Sequence, residues 1–206
     1  GRVPAAFNNI VGLKPTKGLI STRGVVPACR SQDTVSVFAL TVSDAVDVTA
    51  AAAGYDADDI YARHAPHPFA CTPMPHGPRI GVPVQGLDFF GDHAAQSLFE
   101  QAVTRLLALG AEIIPIDFMP FAKAAKLLYS GPWVSERYAA VGAFAEAHGA
   151  ALDPTVRNII LGAKTKSANE AFEGFYALAQ YSRDAESIWA GIDALLVPTA
   201  GTTYRI

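Results

Sequence analysis

The sequence predicts an α/β fold, a mixed and mostly parallel sheet flanked by helices, and three observations predict it. First, residues 79–84 and 112–116 are short strand-like runs separated by a segment in which apolar residues recur at 95, 98, 99, 102, 103, 106 and 107. That is a 3.6-residue period, so 78–117 reads as strand, helix, strand, a unit that normally joins a parallel pair by a right-handed crossover. Second, Ser167 with Glu170 three residues later forms a capping box that opens a helix running to about Trp189. Third, this helix leads into an apolar run at 194–197, bounded by Asp193 and Pro198, as a buried strand would be.

The remaining elements follow in chain order. Residues 1–30 are rich in Gly and Pro, with short apolar runs at 9–13 and 24–26, and read as loops joining short strands. A helix follows: Thr41 or Ser43 can cap it, Asp44 favours its first turn, 46–53 form its body and Gly54 stops it. Residues 55–77 are punctuated by prolines with no periodicity and read as a surface connection. Asp92 is the N-cap of the central helix and Gly110 its stop. Residues 121–148 are helical in composition but broken at Gly131 and Pro132, where one helix ends and another begins. No internal repeat and no low-complexity segment is present.

Composition excludes several functions. Half of the 206 residues are apolar, enough for a substantial core. A net charge of -3 and a pI near 5.9 oppose a nucleic-acid footprint, and Arg157, Lys164 and Lys166 are scattered. No window approaches the roughly 18 to 20 uninterrupted apolar residues of a membrane span. Cys29 and Cys71, without a signal-like start, point to free thiols in a reducing, cytoplasmic compartment. The run GLKPTKG fails as a phosphate loop because Lys17 precedes Gly18 and Leu19 follows. His64 and His67 lie in a proline-held stretch without metal-ligand spacing, so no metal is expected, and the absence of a G-x-S-x-G elbow leaves a serine hydrolase of the α/β type unsupported.

What remains is specific. GRVPAAFNNIVGLKPTKG at 1–18, continued by GVVPACRSQD at 24–33, resembles the second half of the amidase signature. LLYSGPWVSER at 127–137 is similar to a segment of the allophanate hydrolase branch of that family, and DALLVPT at 193–199 to a family strand that runs toward the pocket. The resemblance implies an amidase-signature-like fold that is incomplete, with 1–206 an internal part of one amidase domain. Within it, 1–40 are the signature remainder and strands, 78–117 the strand-helix-strand unit, 121–148 the substrate-contacting helices and 167–199 a helix and strand. The missing initiator Met and the stop at TTYRI read the same way.

In that family a serine in a Gly-rich loop is the nucleophile, activated through a second serine in a cis peptide by an upstream lysine. A serine hydroxyl needs such a base within hydrogen-bond reach, and a desolvated lysine can supply it. Gly1 matches the position just after the nucleophile, so the resemblance places no catalytic residue in this chain, which alone would be inactive. Arg2 would brace the Gly-rich loop by a charge-assisted hydrogen bond, or be a solvated surface arginine.

By the same resemblance Tyr129 and Arg137 contact substrate, Arg137 holding its carboxylate and Tyr129 bonding near the same end. Allophanate is a small planar anion, and a guanidinium fork matches a carboxylate bidentately where lysine offers a point charge. A helix starting near Pro132 would turn free N–H groups toward that anion, which adds Gly131 to the substrate-binding set and Pro132 and Trp133 to its support. Thr199 and Tyr204 would line the site or simply pack. The plainer alternative makes Tyr129 and Trp133 core aromatics and pairs Arg137 with Glu136 or another acid.

The implied activity is hydrolysis of allophanate to ammonia and carbon dioxide in urea degradation, through an acyl-serine and without cofactor. Its implied partners are the small anionic amide, the upstream part of the same domain and, metabolically, a biotin-dependent urea carboxylase; the resemblance also allows a homodimer. Two alternatives stand beside it. One is another amidase-signature enzyme, such as an aryl-acylamidase or the amidase component of the tRNA-dependent amidotransferase, and the other is a non-catalytic scaffold.

Overall fold

The computed structural model of the chain describes residues 2–65 and 74–204; His67 and Cys71 lie outside them. The N-terminal layer consists of α1 (Val3–Phe7), β1 (Val11–Leu13), β2 (Val37–Ala39) and α2 (Val42–Ala52). β1 and β2 pair antiparallel, with Val11 opposite Ala39 and Leu13 opposite Val37. Thr41 rather than Ser43 is the cap of α2, its hydroxyl accepting from the Asp44 amide at 3.1 Å. Ala45 and Thr49 bury their side chains completely beneath α2, and the Thr49 hydroxyl donates to the Ala45 carbonyl at 2.7 Å, which satisfies it without a second element.

Two expectations fail in this layer. Residues 3–7 form a helical turn instead of loop, because a proline at the first positions of a helix removes no needed hydrogen bond. The run 24–26 is a turn and not a strand: the Val25 amide donates to the Thr22 carbonyl at 3.0 Å, and Val25 and Val26 are exposed.

The second layer is a three-stranded parallel sheet in the order β4-β3-β5, where β3 is Arg79–Pro83, β4 is Glu112–Ile116 and β5 is Ala194–Leu195. β5 ends before the apolar run does, at Leu195 and not Val197. The helix α3 (His93–Ala108) connects β3 to β4, its N-terminus capped by Asp92, which accepts from the Ala95 amide at 2.9 Å. Ala95, Phe99, Ala102, Val103 and Leu106 form its half-buried stripe, while Leu98 and Leu107 lie outside it and are exposed. Arg79 clamps the start of β5: its amide and guanidinium both reach the Asp193 carboxylate at 2.8 Å. The pair holds the Arg79 pKa up and the Asp193 pKa down from their ordinary values.

Four helices complete the chain: α4 (Met119–Leu127), α5 (Val134–Ala147), α6 (Pro154–Gly162) and α7 (Ala168–Trp189). α4 packs on α7 and α5 on α6. Phe121 meets Trp189 edge-on at 5.8 Å, an arrangement favoured by the ring quadrupoles. The α7 capping box is formed, with Ser167 and Glu170 bonded reciprocally. α6 has no counterpart among the sequence expectations, although Asp153 caps it and Pro154 opens it. The break between α4 and α5 falls where Gly131 and Pro132 put it, and this junction positions the candidate site.

Candidate functional site

The junction bends tightly for steric reasons. A side chain at Gly131 would place its Cβ 2.5 Å from the Leu127 carbonyl oxygen, so only glycine lets the chain leave α4 this way. Pro132 then lies against Gly174 of α7, where an added Cβ would be 2.6 Å from the proline Cγ. Trp133, only 6% exposed, packs edge-on against Phe175 with ring centres 5.2 Å apart. With Pro132 and Trp133 anchored on α7, α5 begins at a fixed point and Arg137 leaves its first turn in a fixed direction.

That direction brings Arg137 over Tyr129. The guanidinium carbon is 5.6 Å from the Tyr129 ring centre, within cation–π range, and its Nε donates to the Ala28 carbonyl at 3.1 Å. Arg137 is half-buried and Tyr129 exposed. Glu136 does not pair with Arg137; among the described residues no carboxylate forms a salt bridge with it. Glu136 instead accepts from the Ser31 amide at 2.7 Å and from the Ser31 hydroxyl.

The segment that receives these contacts is the loop 28–33, the end of the signature-like stretch. Asp33 accepts from the amides of Ala28 at 2.9 Å and Cys29 at 3.0 Å, and Lys17 donates to the Ser31 carbonyl at 2.8 Å. The two sequence segments singled out independently, 24–33 and 127–137, are therefore in direct contact. Sequence reasoning missed the roles of Ala28, Ser31 and Glu136, since no periodicity links residues 105 apart in the chain.

Within the loop, Cys29 is buried. Burial first, then the nearby Glu136 charge, pushes its thiol from the ordinary 9.0 up to about 11, which leaves it protonated and unreactive near neutrality. Beside the junction, Gln32, Leu127, Leu128, Trp133 and Leu178 line an apolar cavity of about 220 Å³.

The other expected residues sit elsewhere. Arg2 is exposed before α1 and makes no side-chain cap hydrogen bond. Thr199 lines a separate cleft of about 420 Å³ with Phe7, Asp92, Leu98 and Thr202, where the Thr202 hydroxyl donates to Asp92 at 2.8 Å. Tyr204 is exposed. The free amides expected at the start of α5 are partly used: Ser135 and Glu136 donate to the Pro132 and Trp133 carbonyls at 2.9 and 3.1 Å. The Arg137 guanidinium adds a charged donor at the same junction. Among the described residues no cluster of three or more His, Cys, Asp or Glu could hold a metal, and no helix is long and apolar enough to cross a membrane.

Fold and junction together define an α/β chain with an aromatic-backed guanidinium beside a signature-like loop. The chain belongs to the amidase family, whose model, described as Amidase, matches residues 1–204. It is 41% identical over 205 residues to urea amidolyase of Saccharomyces cerevisiae (strain ATCC 204508 / S288c), covering 97% of this chain and 11% of that protein. It is 41% identical to the solved Kluyveromyces lactis allophanate hydrolase, with a TM-score of 0.92 over 98% of this chain and 33% of that one. A crystal structure of the K. lactis urea amidolyase is matched at 41% identity and a TM-score of 0.89, over 98% of this chain and 12% of that one. The chain thus spans about a tenth of the length of the curated relative it matches at 41%.

Proposed function

We propose that the polypeptide carrying this chain is an amide hydrolase that converts allophanate to ammonia and carbon dioxide in urea degradation. The observation that carries the reading is the Arg137 guanidinium, held through Nε by Ala28 and backed by Tyr129. Its Nη atoms have no carboxylate partner among the described residues, so the outer edge of the fork is available to an anionic substrate. The 41% identity to the K. lactis allophanate hydrolase supports the same substrate.

In this reading a serine expected just before Gly1 attacks the terminal amide carbon of allophanate. The C–N bond breaks and a first ammonia leaves; water then attacks the carbamoyl-type acyl enzyme, regenerating the serine hydroxyl and releasing N-carboxycarbamate, which breaks down to two carbon dioxide and a second ammonia. Arg137 fixes the carboxylate end and Tyr129 bonds near it, so that the opposite, amide end is presented to the nucleophile. Gly131, Pro132 and Trp133 hold that geometry, and Arg2 and Thr199 support the neighbouring loop and strand. No cofactor is needed, and the substrate would come from carboxylation of urea, with which the name urea amidolyase of the 41% relative is compatible.

A second reading is a different amidase of the same family, one that acts on a neutral amide. It draws on the breadth of the family match over residues 1–204, and it gives Arg137 no anion to hold. Ammonia release by the complete polypeptide, with allophanate compared against a neutral diamide of similar size, separates the two. Strong preference for allophanate is expected; equal turnover would retain the family and remove this substrate.

A further inference from the structure

Glu136 stands next to Arg137 in sequence yet spends its carboxylate on Ser31, one oxygen taking the backbone amide at 2.7 Å and the other the hydroxyl. Ser31 belongs to the same short loop as Ala28, the residue whose carbonyl receives Arg137 Nε. The loop is otherwise stiffened from within by Asp33, which accepts from the amides of Ala28 and Cys29, and by Lys17 on the Ser31 carbonyl. Glu136 thus ties this loop to the turn from which Arg137 emerges, and it does so on both oxygens.

We infer that Glu136 is the positioning residue for Arg137: by latching Ser31 to the first turn of α5 it fixes the Ala28 carbonyl under Arg137 Nε, aiming the remaining guanidinium edge at the substrate carboxylate. The inference rests on the reading of Arg137 as the anion-holding group. The same latch has an electrostatic consequence. A glutamate adjacent to a binding arginine would neutralise it by pairing; bonded to Ser31, it leaves the guanidinium to the substrate. A doubly bonded carboxylate also removes the rotamer freedom of Glu136, so the loop and helix move as one piece.

The test is a double-mutant cycle on the complete polypeptide, with kcat and KM for allophanate measured for wild type, E136A, R137A and the double variant. If Glu136 acts through Arg137, E136A raises KM roughly ten- to a hundredfold, the scale of a misplaced binding group, with a smaller change in kcat. It then adds less than about twofold to the KM of R137A. E136Q, which can still accept from the Ser31 amide and meet its hydroxyl, restores most of the loss. Equal, multiplicative effects of E136A in both backgrounds would overturn the inference while leaving Arg137 as the anion binder. A wild-type KM in R137A would overturn the substrate reading and the inference with it. Should E136A fail to fold, S31A removes only the hydroxyl bond, and the same cycle applies with the same outcomes.

Discussion

The guanidinium carbon of Arg137 lies 5.6 Å from the centre of the Tyr129 ring while its Nε is bonded to the Ala28 carbonyl at 3.1 Å. One edge of the fork is therefore committed to the protein, and among the described residues no carboxylate pairs with the other. If the proposed function holds, Arg137→Ala in the complete polypeptide is expected to weaken allophanate binding by about 2–5 kcal/mol, the scale of removing one partner of a sequestered charge pair. Arg137→Lys should recover only part of this, because an ammonium has no Nε to engage Ala28 and no bidentate edge. Steady-state kinetics checks both; a loss below tenfold for alanine counts against the assignment.

Trp133 is buried, and its indole Nε1–H has no hydrogen-bond partner among the described residues. An unsatisfied buried donor costs about 1–3 kcal/mol, and Trp133→Phe removes that donor while keeping an aromatic face toward Phe175. The smaller ring also gives up packing, so the two effects oppose each other and Trp133→Phe is expected to change stability by less than about 1 kcal/mol. Trp133→Ala leaves a cavity and should cost about 3–5 kcal/mol. Denaturant unfolding of the two variants separates the effects.

Gly174→Ala sets helix propensity against packing. Alanine is the better helix former by up to about 1 kcal/mol. Its Cβ, however, would stand 2.6 and 2.8 Å from two atoms of the rigid Pro132 ring, an overpacking worth about 1–3 kcal/mol. Packing is expected to win. The variant should melt at a lower temperature and show a raised KM, because Pro132 anchors the turn that carries Arg137.

Cys29 gives a pH signature. Its thiol is held at about 11, above the ordinary 9.0 of the unfolded chain. The folded state therefore keeps its proton where the unfolded state has lost it. The stabilisation is fully present below pH 9 and is lost as pH rises from 9 toward 11. Stability measured across that window should fall, and the slope should shrink in Cys29→Ala. Alkylation of Cys29 near neutral pH should be slow until denaturant is added.

How much of this is legible in the sequence depends on whether a feature is local. The α3 stripe, the Asp92 cap, the Ser167–Glu170 box and β4 are set by neighbours three or four residues apart, or by a short apolar run, and the sequence displays them. The turn of α1 is hidden because Pro4 reads as a breaker until it is known to stand at a helix start. At the site, Tyr129 and Arg137 are visible through a resemblance, and the fold brings them together. Ala28, Ser31 and Glu136 are not visible, because a contact across 105 residues is made by tertiary packing and leaves no periodic trace. Thr199, which the resemblance also singles out, lines a cleft with Phe7 and Asp92 rather than the α4–α5 junction, and no local pattern announces that neighbourhood.

The most direct test is a structure of the complete polypeptide, its nucleophilic serine replaced, with allophanate bound. The expected result is the substrate carboxylate within about 3 Å of the Arg137 Nη atoms, Nε still on Ala28 and the Tyr129 hydroxyl beside the same end. A carboxylate held elsewhere, with Arg137 turned away or paired with a protein acid, would contradict it.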